Sequence, residues 1–259
     1  LALIIFVARL LAKKQENIED FKKGFIAILL PVLLITLLIM PANLSTAAMI
    51  FITCLVLMFV GRVRLRYILA LIAIGLVSMT LLIAIVVNVP QLGKRVGTWQ
   101  NRIESFSSGD SDENYQVEQA KIAISNGGLT GRMPGNSTQK NFLPHPYSDF
   151  IFAIIIEEYG LIGGALVVLL YLVLLFRAIR IVIRCPRNFA SFLTFGVAFS
   201  LVFQAMINMM VAVNLIPVTG QTLPLISMGG TSIWFTSISI GIILSVSREI
   251  EEEQQKEVK

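Results

Sequence analysis

Residues 135–160 read GNSTQKNFLPHPYSDFIFAIIIEEYG, and the rest of the chain is best understood from them outward. A polar loop broken by prolines leads directly into an apolar segment. That segment carries Asp149 at its start and Glu157 and Glu158 slightly more than two helical turns farther along. A charge in an apolar membrane helix costs about 3 kcal/mol unless it is paired, hydrated or used. Asp149 is therefore the leading candidate for a chemical role.

The overall composition is typical of an integral membrane protein. Of the 259 residues, 56% are hydrophobic and 14% are charged, and the mean hydropathy is +0.79. The net charge of +5 would suit a nucleic-acid binder, but the basic residues fall in short clusters between apolar runs. Such clusters mark the cytoplasmic loops of membrane proteins. We therefore predict an all-α polytopic membrane protein that binds no nucleic acid.

The apolar runs predict about seven membrane spans, the first of them partial. They cover residues 1–12, 25–40, 47–60, 67–87, 149–176, 191–213 and 231–246. The first run is too short to span alone, and Leu1 lies inside it, so we expect upstream residues to complete it. The predicted divisions are membrane segments 1–87, an outer loop 88–148, membrane segments 149–247 and a charged tail 248–259.

The basic clusters predict the orientation of the spans. They fall at residues 13–23, 62–66, 177–187 and from 248 onward. Alternation of the spans puts these four loops on one side, which the positive-inside rule identifies as cytoplasmic. The C-terminal tail is then cytoplasmic, whereas the loop 88–148, the break at 41–46 and the Pro/Gly-rich loop 214–230 face outward. Asp149 lies where the outward-facing polar segments converge.

The long outer loop contains two further features. Residues 117–125 form an amphipathic piece that we expect to lie on the membrane face rather than to pack a core. The glycine-rich stretch 127–135 lacks the Lys-Ser/Thr pair of a phosphate-binding loop and follows no β-strand, so no nucleotide or organic cofactor is expected. Its glycines are expected to let the backbone turn tightly against the bilayer. His145 stands alone between two prolines and is interpreted as loop structure.

Two interpretations of Asp149 remain open from spacing alone. It opens a predicted helix, where an aspartate caps the free amides. It also follows Lys140 and Arg132 in one loop, an arrangement suited to deprotonating a hydroxyl and stabilising an anionic leaving group. Glu157 lies about 80° around the helix and about 12 Å deeper, where it would hydrate or hold a cavity. Glu158 points elsewhere and is expected to pair with another span.

The loop 214–230 is predicted to be a re-entrant turn, because its prolines and glycines stand at close spacing between two spans. Such a turn is allowed only where protein or water covers its backbone. Its Thr219, its Ser227 and its free amides are also suited to holding a phosphate or a sugar.

The motifs together resemble the SEDS family (shape, elongation, division and sporulation), whose members RodA and FtsW polymerise peptidoglycan. The resemblance is carried by residues 135–160, by Tyr115-Gln116 with Gly127-Gly128, and by the outer loop 217–230. It extends over nearly the whole chain and implies a SEDS-type helical bundle, of whose ten spans the C-terminal seven are present. The turn 41–46 has Asn43 where the family usually has aspartate. Residues 136–137 and 145–147 look more like those of the division member.

The resemblance implies a glycosyltransferase of the bacterial inner membrane, with its active face outside the cytoplasm. Its substrates would be lipid II, an undecaprenyl-pyrophosphate-linked disaccharide-peptide, and the growing glycan on the same carrier. A class B penicillin-binding protein and other division or elongation proteins would be its partners. The family's essential aspartate matches Asp149, which is then the general base. The expected substrate contacts are Arg132, Ser137, Gln139, Lys140, Glu157, Thr219 and Ser227, and a divalent cation, Mg²⁺ or Mn²⁺, is left open.

Two other classes of function fit many spans with intramembrane carboxylates. One is a flippase or other transporter of the lipid-linked precursor. A transporter needs polar groups along its inner half, whereas the polar motifs here concentrate outside. The other is a non-catalytic scaffold of the division machinery, for which Asp149 would be replaceable.

Overall fold

The protein is built from α-helices. The computed structural model describes residues 1–88, 112–143 and 146–257, and within these ranges every regular element is helical. The helices are α1 (Ala2–Lys13), α2 (Ile26–Ile39), α3 (Leu44–Val60), α4 (Leu65–Asn88), α5 (Asp112–Gly127), α6 (Ile151–Arg184), α7 (Asn188–Ala212) and α8 (Gly230–Glu257). Short turns of 3₁₀ helix occur at Gln15–Asn17 and Gln139–Asn141, and a π turn occurs at Phe21–Phe25. The predicted all-α class is confirmed.

Three of the described helices are long and apolar enough to cross a membrane, and they are α6, α7 and α8. Helices α2 and α3 are apolar but shorter, at 14 and 17 residues. A helix rises about 1.5 Å per residue, so α3 covers about 25 Å of the roughly 30 Å hydrocarbon layer. Each predicted span has a helix at its place, and the count of seven spans stays a prediction.

The chain forms two compact units. The first comprises Leu1–Trp99, Ala178–Ser200 and Ile242–Lys259, and the second comprises Gln100–Arg177 and Leu201–Gly241. The core of the first unit is apolar. Helix α1 contributes to this core the apolar residues of one of its faces. Those residues are Leu3, Ile4, Val7, Ala8 and Leu11, and they pack with α2, α3 and α7.

The C-terminal end of α8 belongs to the first unit and continues the helix instead of forming a separate tail. Arg187, at the start of α7, forms ion pairs with Glu249 and Glu253 on successive turns of α8. The distance from Arg187 Nη2 to Glu253 Oε1 is 2.6 Å. Two glutamates of the predicted charged tail are thus paired. The helix does not end at residue 246, where the last predicted span ends, but continues to Glu257.

The core of the second unit includes α5, which contradicts one prediction. Val117, Ala120 and Ala123 are buried along one face of α5, and the two alanines pack with Leu143 and Phe150. The segment is amphipathic as predicted, but its apolar face packs a protein core rather than the membrane face alone. Sequence periodicity identifies an apolar face without saying what covers it. The remainder of the predicted outer loop, residues 89–111, lies outside the described residues.

Helix α6 is interrupted at Gly160, whose φ and ψ are 71° and −174°. The interruption leaves main-chain amide and carbonyl groups of α6 without helical partners. The loop that follows α5 forms hydrogen bonds with them. Arg132 N donates to Glu157 O at 3.0 Å, and Leu161 N donates to Gly128 O at 2.9 Å. The loop 128–132 therefore replaces part of the helical hydrogen bonding of α6.

Glycine is required on both sides of this junction. A Cβ atom on Gly131 would overlap the carbonyl oxygen of Glu158, and one on Gly160 would overlap the carbonyl oxygen of Leu129. Both glycines also have positive φ, at 79° and 71°. Of the glycines in 127–135 that were expected to turn the backbone against the bilayer, Gly131 instead turns it against the backbone of α6.

Candidate functional site

Asp149 lies in the second unit, half-buried, two residues before the first residue of α6. The first helical amides bond to Phe150, whose carbonyl accepts from Ala153 N at 3.0 Å. The carbonyl of Asp149 accepts a side-chain hydrogen bond from Asn208 instead. Asp149 thus stands outside the helix, and the N-cap interpretation is wrong. Its Oδ1 accepts from the Ser148 hydroxyl at 2.7 Å.

The backbone that carries Asp149 is held by three consecutive hydrogen bonds. The bonds run from Met228 N to the Tyr147 carbonyl at 2.9 Å, from the Ser227 hydroxyl to the Ser148 carbonyl at 2.6 Å, and from Asn208 Nδ2 to the Asp149 carbonyl at 2.8 Å. A main chain tied at three successive residues has little freedom to rotate. The backbone from which the Asp149 side chain projects is consequently held in place by the protein itself.

The Asp149 carboxylate lies close to the loop 214–229 at Gly220. A Cβ atom built on Gly220 would lie 3.9 Å from Asp149 Oδ2. Gly220 has a φ of 66°, which favours glycine. Within the described ranges no hydrogen bond reaches Oδ2. The space in front of this oxygen is therefore bordered by backbone on the loop side.

The loop 214–229 is folded against protein, as a re-entrant turn must be. Asn208 Nδ2 donates to Gln221 O at 2.7 Å, and Gln204 Nε2 donates to Thr222 O at 3.0 Å. The Tyr171 hydroxyl donates to the carbonyl of Pro224. These side chains from α6 and α7 donate hydrogen bonds to carbonyl oxygens of the loop. Such oxygens are costly to leave unpaired away from water.

Ser227 was predicted to contact substrate, and the structure gives it another role. It is only 4% exposed, and its hydroxyl accepts from Leu223 N at 2.7 Å while donating to Ser148 O. Both bonds are internal, and the substrate contact of this residue stays a prediction. Thr219 is half-buried, and its hydroxyl has no partner in the described part of the chain. Its substrate role stays a prediction.

Glu157 forms the second polar centre of this unit. Its side chain is 0% exposed, and its carboxylate accepts from the Ser137 hydroxyl, from Thr138 Oγ1 at 2.9 Å, and from the amides of Thr138 and Gln139 at 3.2 Å each. Arg132 Nη1 lies 3.8 Å from Glu157 Oε1. A buried carboxylate is tolerated when its lone pairs are used in this way. Glu157 thus anchors the loop, and its contact with substrate stays a prediction.

Ser137 and Gln139 are buried in the same cluster. The Ser137 hydroxyl also accepts from Lys140 N at 3.2 Å, so it is used internally, and its substrate contact stays a prediction. Gln139 is 8% exposed, and its Oε1 is buried with no partner among the described residues. A buried acceptor without a donor is costly. The expected role of Gln139 toward substrate stays a prediction.

The two predicted cations lie on the loop that Glu157 anchors. Lys140 Nζ donates to Gly135 O at 2.7 Å, and Arg132 Nη1 donates to Thr138 Oγ1 at 3.3 Å. None of the ion pairs within the described ranges joins Lys140 to Asp149. Both cations hold the loop in shape, and a role on a leaving group stays a prediction.

Two polar residues of α7 were missed from the sequence. Gln204 and Asn208 stand four residues apart in an otherwise apolar segment, which places them on one helix face. A polar residue in a membrane span is itself a signal of a functional or packing role. That signal was present, but nothing in the spacing relates Asn208 to Asp149.

No cluster of three or more His, Cys, Asp or Glu side chains suited to a metal ion occurs in residues 1–88, 112–143 and 146–257. Magnesium sites commonly use one or two carboxylates completed by substrate phosphates. The described residues offer no dedicated metal site of their own, so the divalent cation stays a prediction. His145 lies outside the described residues.

The chain was compared with models of known families. The FtsW, RodA and SpoVE model, described as a cell cycle protein family, matches residues 1–252. The chain belongs to this family. Residues 1–252 are nearly all of the 259, so the FtsW/RodA/SpoVE assignment covers both units.

Curated members of the FtsW/RodA/SpoVE family resemble the chain over most of its length. Stage V sporulation protein E of Bacillus subtilis is 40% identical over 251 residues, covering 96% of this chain and 66% of the relative. The probable peptidoglycan glycosyltransferase FtsW of Geobacter sulfurreducens is 34% identical over 253 residues, with the same coverage. The FtsW of Aliivibrio salmonicida, named in the same way, is 34% identical. The chain thus spans slightly less than two thirds of the length of these relatives.

Two solved structures share the fold. A chain of a peptidoglycan synthase complex that coordinates polymerization and crosslinking matches with a TM-score of 0.70 and 26% identity, covering 94% of this chain and 68% of that one. A mutant of the rod shape determining protein RodA from Thermus thermophilus matches with a TM-score of 0.60 and 25% identity, covering 95% and 65%. The predicted SEDS-type membrane fold is confirmed.

Proposed function

We propose that this protein is a peptidoglycan glycosyltransferase that polymerises lipid II, with Asp149 as the general base. The observation that carries the proposal is the setting of Asp149, whose backbone is tied by three hydrogen bonds and whose Oδ2 faces Gly220. Membership in the FtsW/RodA/SpoVE family supports it, as do the several relatives named probable peptidoglycan glycosyltransferase.

The proposed reaction joins two sugars in one displacement. Asp149 Oδ2 accepts the proton of the 4-hydroxyl on the acceptor lipid II as that oxygen attacks C1 of the growing glycan. The new C–O bond forms as the bond from C1 to the pyrophosphate oxygen breaks, and that electron pair leaves with undecaprenyl pyrophosphate. A positioned general base contributes about 10²- to 10⁴-fold to such a step. The fixed backbone around Asp149 supports its placement near the hydroxyl.

The leaving pyrophosphate is proposed to be stabilised by the cations of the anchored loop. Lys140 would exchange its bond to the Gly135 carbonyl for a phosphate oxygen, and Arg132 is 41% exposed and within reach of solvent. Charged donors prepared in this way lower the barrier to expulsion of an anion. A divalent cation would add to the same neutralisation.

The proposed setting is the bacterial inner membrane, with the active face outside and the C-terminus in the cytoplasm. The arrangement of basic clusters supports this orientation. A class B penicillin-binding protein is the proposed partner, which agrees with a structural relative lying in a peptidoglycan synthase complex. We favour a role in septal wall synthesis during division, because residues 136–137 and 145–147 resemble the division member.

The test is polymerisation of purified fluorescent lipid II in detergent, where no membrane sides exist. Asp149→Asn should lower the rate at least about 100-fold, while the variant keeps its thermal unfolding temperature. Glu118→Gln, which removes an exposed carboxylate on α5, is the matched control and should polymerise normally. Normal polymer from Asp149→Asn would exclude Asp149 as the base. Absence of polymer from the wild type, with movement of lipid II across vesicles, would support a transporter.

A further inference from the structure

Asn208 lies at the centre of the contacts around Asp149, although it contributes to neither loop. It is on α7, 1% exposed, and its Nδ2 donates to the Asp149 carbonyl at 2.8 Å and to the Gln221 carbonyl at 2.7 Å. A side-chain amide nitrogen carries two hydrogens, so both donors are used. One side chain thus binds the segment that carries Asp149 and the loop that faces it.

The bridge acts on the space in front of the carboxylate. Gln221 follows Gly220, whose built Cβ lies 3.9 Å from Asp149 Oδ2. Because Asn208 holds the main chain of Asp149 and that of Gln221 at fixed distances, it also sets the separation between Oδ2 and Gly220. A change of about 1 Å in such a separation can cost about 100-fold in rate.

We propose that Asn208 is a positioning residue for the glycosyl transfer, setting the separation between the Asp149 carboxylate and the loop at Gly220. The inference rests on the proposed function of Asp149. It does not require Asn208 to touch substrate. Its effect should therefore fall on kcat rather than on KM.

The chain offers a matched control one helical turn away. Gln204 is also on α7, and its Nε2 donates to the Thr222 carbonyl at 3.0 Å and lies 3.4 Å from Thr222 Oγ1. Gln204 therefore anchors the same loop without binding the backbone of Asp149. Comparing the two residues separates anchoring of the loop from placement of the carboxylate.

The experiment measures steady-state polymerisation of purified lipid II by the full-length protein in detergent, for Asn208→Leu, Asn208→Ser and Gln204→Leu beside the wild type. Leucine has the same branched arrangement of four side-chain heavy atoms as asparagine but no donor, and serine is too short to reach both carbonyls. We expect kcat to fall about 100-fold for both Asn208 variants, with KM changed less than about threefold. Gln204→Leu should keep kcat within about threefold of the wild type.

Three outcomes would overturn the inference. One is a normal kcat for either folded Asn208 variant, and another is an equal loss for Gln204→Leu, which would assign the effect to loop anchoring. The third is failure of both Asn208 variants to fold while Gln204→Leu folds, which would assign Asn208 to stability. Asp149→Asn in the same assay distinguishes failure of this inference from failure of the proposed function. If it is inactive, a normal Asn208→Leu overturns only this inference, whereas an active Asp149→Asn overturns the proposed function.

Discussion

The two units bury polar side chains in opposite ways. In the described part of the first unit, the buried polar residues are Thr36, Thr53 and Thr194. Thr53 returns its hydroxyl to the Met49 carbonyl of its own helix at 2.8 Å. In the second unit Glu157, Asn208 and Ser227 are buried and bond between segments far apart in the chain, whereas Thr236 and Ser239 also return their hydroxyls to their own helix.

The first unit thus depends mainly on the packing of apolar side chains, whereas the second depends on polar groups held in a specific geometry. Burial of apolar side chains is non-directional and tolerates small shifts. A buried charge or amide is costly unless each of its bonds is made, so it specifies one geometry. The second unit carries Asp149, and its polar interior surrounds the residues on which the proposed chemistry depends. We therefore expect polar substitutions to cost most there.

The largest effect on stability is expected from Glu157→Leu. The substitution leaves the donors of Ser137, Thr138 and Gln139 without their carboxylate, and Arg132 without its counter-charge. Breaking a buried ionic cluster from one side costs about 3–5 kcal/mol in the free energy of unfolding. Thermal or denaturant unfolding in detergent measures it. Glu118→Leu, at an exposed site, should change stability by less than about 0.5 kcal/mol. Equal values for both would contradict the buried cluster.

A smaller loss is expected from Gly131→Ala. The new methyl group meets the Glu158 carbonyl at a residue with φ of 79°, so overlap and backbone strain add to about 2–3 kcal/mol. Gly135→Ala is the control, because its φ of 82° is similar but no atom lies within 4 Å of the added methyl group. It should lose about 1 kcal/mol from strain alone. If the two variants have the same unfolding midpoint, the close packing of the loop on α6 is not the reason why glycine is required at residue 131.

Ser227→Ala should cost about 1–2 kcal/mol, because it leaves Leu223 N and the Ser148 carbonyl without a partner. Polymerisation should also slow, since one of the three ties on the Asp149 segment is lost. Thr53→Val in the first unit is the comparison, and a near-neutral change is expected because the Met49 carbonyl keeps its helical environment. A greater loss for Thr53→Val than for Ser227→Ala would reverse the contrast between the units.

The smallest effect is expected from Arg187→Gln. Its pairs with Glu249 and Glu253 are exposed, with 57% of the Arg187 side chain accessible, and such pairs contribute about 0.5 kcal/mol. The loss should shrink further in high salt, because exposed pairs are screened. Unfolding at low and high salt measures this difference. A salt-independent loss above about 2 kcal/mol would show that the pairs are structural.

Asp149 could be singled out from sequence because it stands where a polar loop enters an apolar run. Glu157 could be noticed for the same reason, but its partners could not be. Its position along the helix gives no sign that the loop 132–139 folds over it and uses its lone pairs. The helix is interrupted at Gly160, and a glycine in an apolar run does not by itself predict an interruption. The internal bonds of Ser227 could not be predicted either, since a hydroxyl in an outer loop suits substrate and backbone equally.

The sequence alone determined that this is a helical membrane protein. It also determined where the apolar helices lie and that an acid stands at the start of one of them. These properties depend on hydropathy and on the cost of isolated charge, both of which are local. The partners of the buried polar groups could be known only from the folded chain. The Asn208–Asp149 and Ser227–Ser148 bonds join residues 59 and 79 positions apart. Such pairings arise from how helices and loops pack, and no periodicity within one segment encodes them.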